Sequence, residues 1–401
     1  MSVLRLRDVR LIVSAVGISA VGDAALWILL ALHVGATGSP LAVSALFLCL
    51  WGPVVALGGV AGRLVDRHEN RRLLILVSLG QALVVAAMAL SLGSLPVLLG
   101  LCALRGAGVA ISSPAEFALV PAAAGEEHVA AANGQVEAAR GLGATAGPLL
   151  GGVLAAAGWT EAGLLVNAAS FAAVALAAVA LHARRAPSGG RVHAREHGGR
   201  AVLFGDRTLA ITLGASIVAL LFFTISVAAE VFFVSDVLKA GPAVYGLLMT
   251  GWTLGMVGGA VGLARRVPQT ALATAALVCV AAQGAGLLGA ALGATVLVSL
   301  AGFLGGGLAH GAKNVLLRTL IHERVPEASR GRAYATYNAL RNGAELGALS
   351  AGGVLVGLAG AQTALAVSGA IPLTIGLVAL AVLARRVPAT IRRTAYVQPR
   401  G

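Results

Sequence analysis

The chain has 401 residues, of which 58% are hydrophobic and only 11% charged, and its mean hydropathy is +0.90. A soluble domain carries roughly one-quarter charged residues, so this composition excludes a soluble globular protein and indicates that lipid is the main solvent. The formal charge of +13 would suit a nucleic-acid binder, but aromatic residues make up only 4% and the arginines fall in short loops between apolar runs, so nucleic acid is not an expected partner.

Twelve apolar runs follow one another along the chain, each long enough to cross a bilayer as a helix. A transmembrane helix needs about 20 apolar residues to span roughly 30 Å of hydrocarbon, with every backbone polar group bonded internally. The first six spans are predicted near Leu11 to Val34, Leu41 to Ala61, Leu73 to Leu92, Leu95 to Val120, Val129 to Ala157 and Ala162 to Leu181. The second six are predicted near Leu209 to Val234, Ala243 to Ala264, Thr270 to Leu292, Ala294 to Leu317, Arg332 to Leu358 and Ala361 to Leu383.

The two sets of spans repeat one another in sequence. The stretch RGLGATAGPLLGGVL from Arg140 aligns with RNGAELGALSAGGVL from Arg341, at an offset of about 201 residues. Duplicated halves place a binding site between them, near the membrane midplane. We therefore predict an all-α membrane protein of two pseudo-symmetric six-helix halves, residues 1–183 and 208–384, joined by a flexible cytoplasmic linker at 184–207 and followed by a cytoplasmic tail at 385–401.

Basic residues fall on one side of the predicted membrane. The loops on the opposite side contain one Lys or Arg residue, Lys239. By the positive-inside rule, both termini and the linker are expected to be cytoplasmic, in a multi-pass protein of the cell membrane.

Ten polar side chains inside the spans are candidates for proton coupling or substrate binding, because a charge in hydrocarbon is costly and should face a cavity or a partner. They are Asp23, Arg105, Glu137, Arg140, Glu230, Lys313, Asn338, Arg341, Asn342 and Glu345. Asp23 suits reversible protonation or, equally, a structural bond to a neighbouring span such as one to Arg140. Local charge compensation would also explain the polar faces of the fifth and eleventh spans, and gating would also explain Glu230 and Lys313.

The loop after the second span, GRLVDRHENRR from Gly62 to Arg72, resembles the signature loop of the major facilitator superfamily. Glu69 and Asn70 replace the Gly-Arg step of that signature, as in permeases related to the enterobactin exporter and the macrolide-efflux proteins. The resemblance implies the major facilitator fold and the monomeric state usual in the family.

The resemblance also implies a conformational latch at this loop. Its members would be Gly62, Asp66, Arg67, Arg71, Glu116 and Arg332. In this hypothesis Gly62 allows a close approach, Asp66 accepts bonds from amides at the start of the eleventh helix near Arg332, and Arg67 meets Glu116. The alternative is that these charges only enforce topology.

In the fifth span, GATAGPLLGG resembles the superfamily's antiporter motif, which is associated with exporters. The matching residues are Gly143, Gly147, Pro148, Gly151 and Gly152. Generic glycine packing is the alternative. Arg105 lies in a looser match to the superfamily's arginine and glycine element of the fourth helix.

Motifs for other functions are absent from the sequence. There is no P-loop, no G-x-S-x-G, no H-E-x-x-H and no His or Cys cluster at metal-ligand spacing, so we expect no enzyme activity, no cofactor and no metal. These observations predict a secondary transporter that exports a small amphiphilic or drug-like molecule by proton-coupled alternating access. The alternatives are an importer of a small metabolite and, less favoured, a non-transporting receptor or membrane-embedded enzyme.

Overall fold

The computed structural model describes residues 3–184 and 199–385, which are helical without a strand in those ranges. The helices before the gap are α1 (Arg7–Gly35), α2 (Pro40–Arg67), α3 (Asn70–Leu90), α4 (Leu95–Ala124), α5 (Val129–Ala156) and α6 (Thr160–Ala180). Those after it are α7 (Gly199–Gly205), α8 (Arg207–Phe232), α9 (Pro242–Gly258), α10 (Leu272–Gly293), α11 (Val296–Arg324), α12 (Glu327–Ala359) and α13 (Ala361–Ala384). The predicted all-α fold is confirmed.

Ten of the described helices are long and apolar enough to cross a membrane. The two other long helices are α5 and α12, which are 28 and 33 residues long but carry the glycines and charges of the sequence repeat. Each predicted span coincides with one long helix.

Helix pairing is the same in both halves. In the first half α1 packs on α5, α2 on α4 and α3 on α6; in the second, α8 packs on α12, α9 on α11 and α10 on α13. Counted from the start of each half, the same helices are partners. The predicted pseudo-symmetry is therefore present in the packing.

The halves meet along two symmetric seams, α5 with α9 and α2 with α12. A Cβ on Gly152 would lie 2.8 Å from the Pro242 oxygen, so the backbones touch there. Across the other seam the Gly353 amide donates to Ser44 Oγ at 2.6 Å. Gly152 and Gly353 occupy equivalent positions of the sequence repeat, so the repeat marks the contacts between the halves.

The seams lie toward one end of the bundle, which we call the closed end; the other, which holds Arg67 and Arg324, is the basic end. The largest apolar cluster includes residues of both halves, such as Leu30 and Phe233, and surrounds the seams. Toward the basic end each half has its own cluster, around Leu119 in the first and Leu317 in the second. The halves therefore separate toward the basic end.

The part of the predicted linker that the structure describes contains a helix. Leu203 of α7 is 1% exposed and packs into the cluster of the second half, so this segment is anchored rather than a flexible connection. Residues 185–198 of the linker and 386–401 of the tail lie outside the described residues.

We predict that Gly106→Ala lowers stability because α4 approaches the α2 backbone at that point. An added Cβ would lie 2.6 Å from the Leu50 oxygen, and overpacking of this kind costs about 1–3 kcal/mol. Gly100→Ala, on the same helix with no atom within 4 Å of its Cβ position, is the matched control and should be neutral or slightly stabilising. Thermal unfolding of the purified protein measures both, and equal melting temperatures would contradict the prediction.

A second prediction concerns Asp206, which caps α8. Burial by itself raises the pKa of this carboxyl, but bonds from the Leu209 and Thr208 amides and from Arg324 outweigh burial, so the pKa lies below its usual range. A lowered folded-state pKa stabilises the protein above the unfolded-state value of about 3.9 and less as pH falls below it. The stability of the wild type should therefore fall more steeply than that of Asp206→Asn between about pH 5 and pH 3. Parallel slopes in thermal unfolding would contradict this assignment.

Candidate functional site

A cavity of about 510 Å³ lies between the two halves. It is lined by α1 and α2 from the first half and by α8, α9, α11 and α12 from the second. The lining residues used below are Trp27, Trp51, Phe223, Thr224, Glu230, Met249, Trp252, Phe303, His310, Arg341, Asn342 and Glu345. The cavity lies between the halves, which is where the sequence repeat predicts a binding site.

Aromatic rings form much of the cavity wall. The rings of Phe223 and Trp252 are stacked with centroids 4.7 Å apart, and Phe303 meets Trp252 edge-on at 6.3 Å. Trp27 and Trp51 face them from the first half. Three of the four tryptophans of the chain thus line one cavity, which suits a ligand with aromatic or other flat apolar surfaces.

Glu230 is the most deeply buried carboxylate of the lining, at 4% exposure. It lies in the last turns of α8 toward the closed end, where Ser226 Oγ donates to its Oε1 at 2.9 Å. Glu345 differs, because Arg341 Nε donates to it at 3.0 Å and both are partly exposed. The lining thus holds one paired and one buried acidic group.

A polar cluster lies behind the aromatic wall. Lys313 Nζ donates to Gln283 Oε1 at 2.7 Å, and His310 Nδ1 is 3.3 Å from the same oxygen. Lys313 is 2% exposed and does not line the cavity, whereas His310 does. In a neutral His310 this bond places the proton on Nδ1, which leaves Nε2 as an acceptor.

Asp23 and Arg105 form an ion pair inside the first half, with Asp23 Oδ1 2.6 Å from an Arg105 terminal nitrogen. The Arg105 side chain is 9% exposed and that of Asp23 32%. The partner of Asp23 is therefore Arg105 and not Arg140, the partner that the sequence suggested. This pair lies outside the residues that line the cavity.

Arg140 instead pairs with Glu116, at 3.2 Å between α5 and α4. Glu137 lies 3.7 Å from the same guanidinium, which also stands over the Phe117 ring. Glu116 is thus not brought to Arg67, contrary to the expectation from the loop, because Arg67 is exposed beyond the end of the bundle core while Glu116 faces α5.

The signature loop joins α2 to α3 at the basic end. Arg71 bonds the carbonyl oxygens of Ala178 and Val179, which caps the end of α6. No atom lies within 4 Å of a Cβ built on Gly62, so the described residues make no close approach at this glycine. Asp66 is partly buried in the last turn of α2, and Arg332 donates to Ser329 in the first turns of α12.

The antiporter-like motif is a packing surface. Gly143, Gly147 and Gly151 lie against α1, where a Cβ on Gly151 would be 2.7 Å from the Ala25 oxygen. Gly152 instead faces α9 across the seam, and the Pro148 oxygen lies against Gly246 of α9. One motif therefore joins α5 both to its own half and to the other half.

Four of the ten candidate side chains line the cavity, namely Glu230, Arg341, Asn342 and Glu345. Asn338 is exposed, and Lys313 and the first-half residues lie outside the lining. Sequence reasoning missed the aromatic wall and His310. The signal was present, since Trp27, Trp51 and Trp252 lie in the interior of apolar spans and His310 precedes Lys313 by one helical turn. Among the described residues no group of three or more His, Cys, Asp and Glu side chains could hold a metal.

Comparison with known proteins agrees with this architecture. Residues 12–348 match the family model described as Major Facilitator Superfamily. The fold is similar to the nucleoside transporter NupG, at 13% identity and TM-score 0.70 over 94% of this chain and 99% of that one. It is also similar to an auto-inhibited POT family peptide transporter, at 12% identity and TM-score 0.73 over 95% and 97%.

A third similar structure is a bacterial homologue of the iron transporter ferroportin in an inward-facing state, at 16% identity and TM-score 0.70 over 95% of this chain and 99% of that one. No curated protein sequence matches the chain.

We predict that Arg105→Gln destabilises the protein by roughly 3 kcal/mol, because it leaves Asp23 without its ion-pair partner in a poorly solvated position. The double variant Asp23→Asn/Arg105→Gln should recover part of that loss. The control is Arg72→Gln, whose guanidinium pairs with Glu69 but is 79% exposed, so its loss should cost less than about 1 kcal/mol. Chemical or thermal unfolding of the four proteins measures these values. Equal losses for Arg105→Gln and Arg72→Gln would contradict the prediction.

Proposed function

This chain belongs to the major facilitator superfamily and is a multi-pass membrane transporter rather than an enzyme, and we propose that it exports a small amphiphilic molecule in exchange for protons. The observation that carries the proposal is the aromatic cavity of about 510 Å³ between the halves. Its volume lies in the range of sites for drug-sized ligands.

The lining favours an amphiphilic substrate over a sugar. The wall consists mainly of rings and aliphatic side chains, and the polar lining residues include Arg341 and Glu345, which bond to each other. A sugar would need many more amide and hydroxyl partners along its length. The substrate we propose therefore has a large apolar surface and a small number of polar groups.

Alternating access follows from the seams. The halves touch at Gly152 and Gly353 near the closed end and separate toward the basic end. Rocking about contacts of this kind would open the closed end and bring the basic ends together. We assign the basic end to the cytoplasm by the positive-inside rule, in a monomeric protein of the cell membrane.

For proton coupling we propose Asp23 and Glu230. Asp23 is paired with Arg105, so protonation of the carboxylate would release that arginine within the first half. Glu230 faces the cavity directly, where substrate and proton would meet the same group. Protonation at either position would remove a negative charge from the membrane-spanning part of that half, where an uncompensated charge is costly.

Export rather than uptake is proposed from two motifs. The loop GRLVDRHENRR resembles the branch of the enterobactin exporter and the macrolide-efflux proteins, and the glycines around Pro148 resemble the antiporter motif. In this chain those glycines form the α5 contact with α1, which lies within one half, and the seam with α9, which joins the halves. Rocking of the halves would keep the first contact and change the second.

The test uses everted membrane vesicles from expressing cells, in which export appears as uptake of dye. With rhodamine 6G, Nile red and fluorescein as probes, an acidic interior should drive accumulation of at least one dye, and nigericin should abolish it. Asp23→Asn should lose accumulation driven by the gradient while retaining exchange down a dye gradient, because only the coupling step needs a titratable group. Asp236→Asn, at an exposed position of the closed end, is the matched control.

Two outcomes would contradict the proposal. If no dye responds to the pH gradient, coupling to protons is wrong. If the gradient drives dye out of everted vesicles, the direction is wrong and the importer is the better description.

A further inference from the structure

When Glu230 is ionised, the rest of the lining does not compensate its charge. The residue is only 4% exposed, faces the cavity, and receives a bond from Ser226, which is neutral. Within residues 3–184 and 199–385, no cationic side chain forms an ion pair with it. A buried carboxylate of this kind is unfavourable unless a partner arrives from elsewhere.

The cations near the cavity are already engaged. Arg341 donates to Glu345 at 3.0 Å, so that pair adds no net charge to the lining. Lys313 donates to Gln283 and is not among the residues that line the cavity. Of the two acidic side chains in the lining, Glu230 is therefore the one without a cationic partner.

The aromatic wall favours a ligand with an aromatic body and disfavours an anion. Ring faces carry negative electrostatic potential and attract cations within about 6 Å. Trp252 and Phe223, which are stacked on each other, line the cavity from the second half, and Trp27 and Trp51 line it from the first. Neither the carboxylate nor the rings favour an anion.

Position along α8 defines the shape of the ligand. Glu230 is seven residues beyond Phe223, which is about 10 Å along the helix axis at roughly 1.5 Å per residue. A group bound at Glu230 therefore lies about 10 Å deeper than a ring stacked at the level of Phe223. A ligand that satisfies both must carry its charge at one end of a body of that length.

From this geometry we infer that the cavity takes an elongated aromatic cation, with its basic nitrogen at the Glu230 carboxylate and its ring against Phe223 and Trp252. The inference names the substrate class of the proposed exporter and so rests on that function. His310 Nε2, an acceptor on the same wall, supplies a second contact to an N–H or O–H donor on the ligand.

The test measures binding to the full chain in nanodiscs, with empty nanodiscs as blank. Three probes share a skeleton and differ in the head group, namely phenylhexylamine, phenylhexanol and phenylheptanoic acid. The amine should bind most tightly and the acid least. This ranking in the wild type tests the class without any variant.

Variants locate the charge. Glu230→Gln should weaken binding of the amine by about tenfold or more and change binding of the alcohol little, because only the amine loses a buried charge partner. Glu161→Gln, an exposed glutamate at the start of α6, is the matched control and should change neither. Phenylethylamine, too short to reach from Phe223 to Glu230, should lose little affinity in Glu230→Gln.

Three results would overturn the inference: an acid that binds as well as the amine, an equal loss of amine and alcohol in Glu230→Gln, or an equal loss of the long and short amines. Vesicle transport of the same probes separates this failure from that of the proposed function. Gradient-driven transport of the alcohol or acid but not the amine would reject the substrate class alone. Amine binding that depends on Glu230, without any transport driven by a pH gradient, would reject the exporter alone.

Discussion

Close contact between helix backbones at glycine is the constraint on which the rest of this structure depends. Between helices in lipid the hydrophobic effect supplies no attraction, so association relies on tight packing and on bonds between polar groups. Gly147 and Gly151 bring α5 onto α1, and Gly152 and Gly353 bring one half onto the other. These contacts set the closed end of the bundle, and the cavity is the space left where the helices diverge from it.

Buried acidic side chains have different kinds of partner in the two halves. In the first half Asp23 is paired with Arg105 and Glu116 with Arg140, so that half contains its own compensated network. In the second half Glu230 faces the cavity with a hydroxyl partner. A charge in a poorly solvated position is stable only with a partner, and on this difference rest our proposals that the first half takes part in proton coupling and the second binds a charged ligand.

Structural features were predicted best from sequence patterns that repeat along one helix or between the halves. Hydrophobic run length predicted the long helices, and the repeat from Arg140 and Arg341 predicted both the pseudo-symmetry and the position of the cavity. Partners across helices were predicted least well. The pairing of Asp23 with Arg105, and of Glu116 with Arg140 rather than Arg67, depends on how neighbouring helices rotate, which periodicity within one helix does not encode.

By itself, the sequence determined that this protein lies in a lipid bilayer, that it is helical and that it divides into two similar halves. Those properties follow from composition and from spacing along the chain. Only the tertiary structure decided which polar residues share a cavity. Trp27, Trp252, Glu230 and Arg341 come from four helices and both halves, and only the packing of those helices brings them to one cavity. The spacing of glycines predicts that two helix backbones can approach closely. Which side chains then line the cavity depends on the angle and depth at which the helices meet.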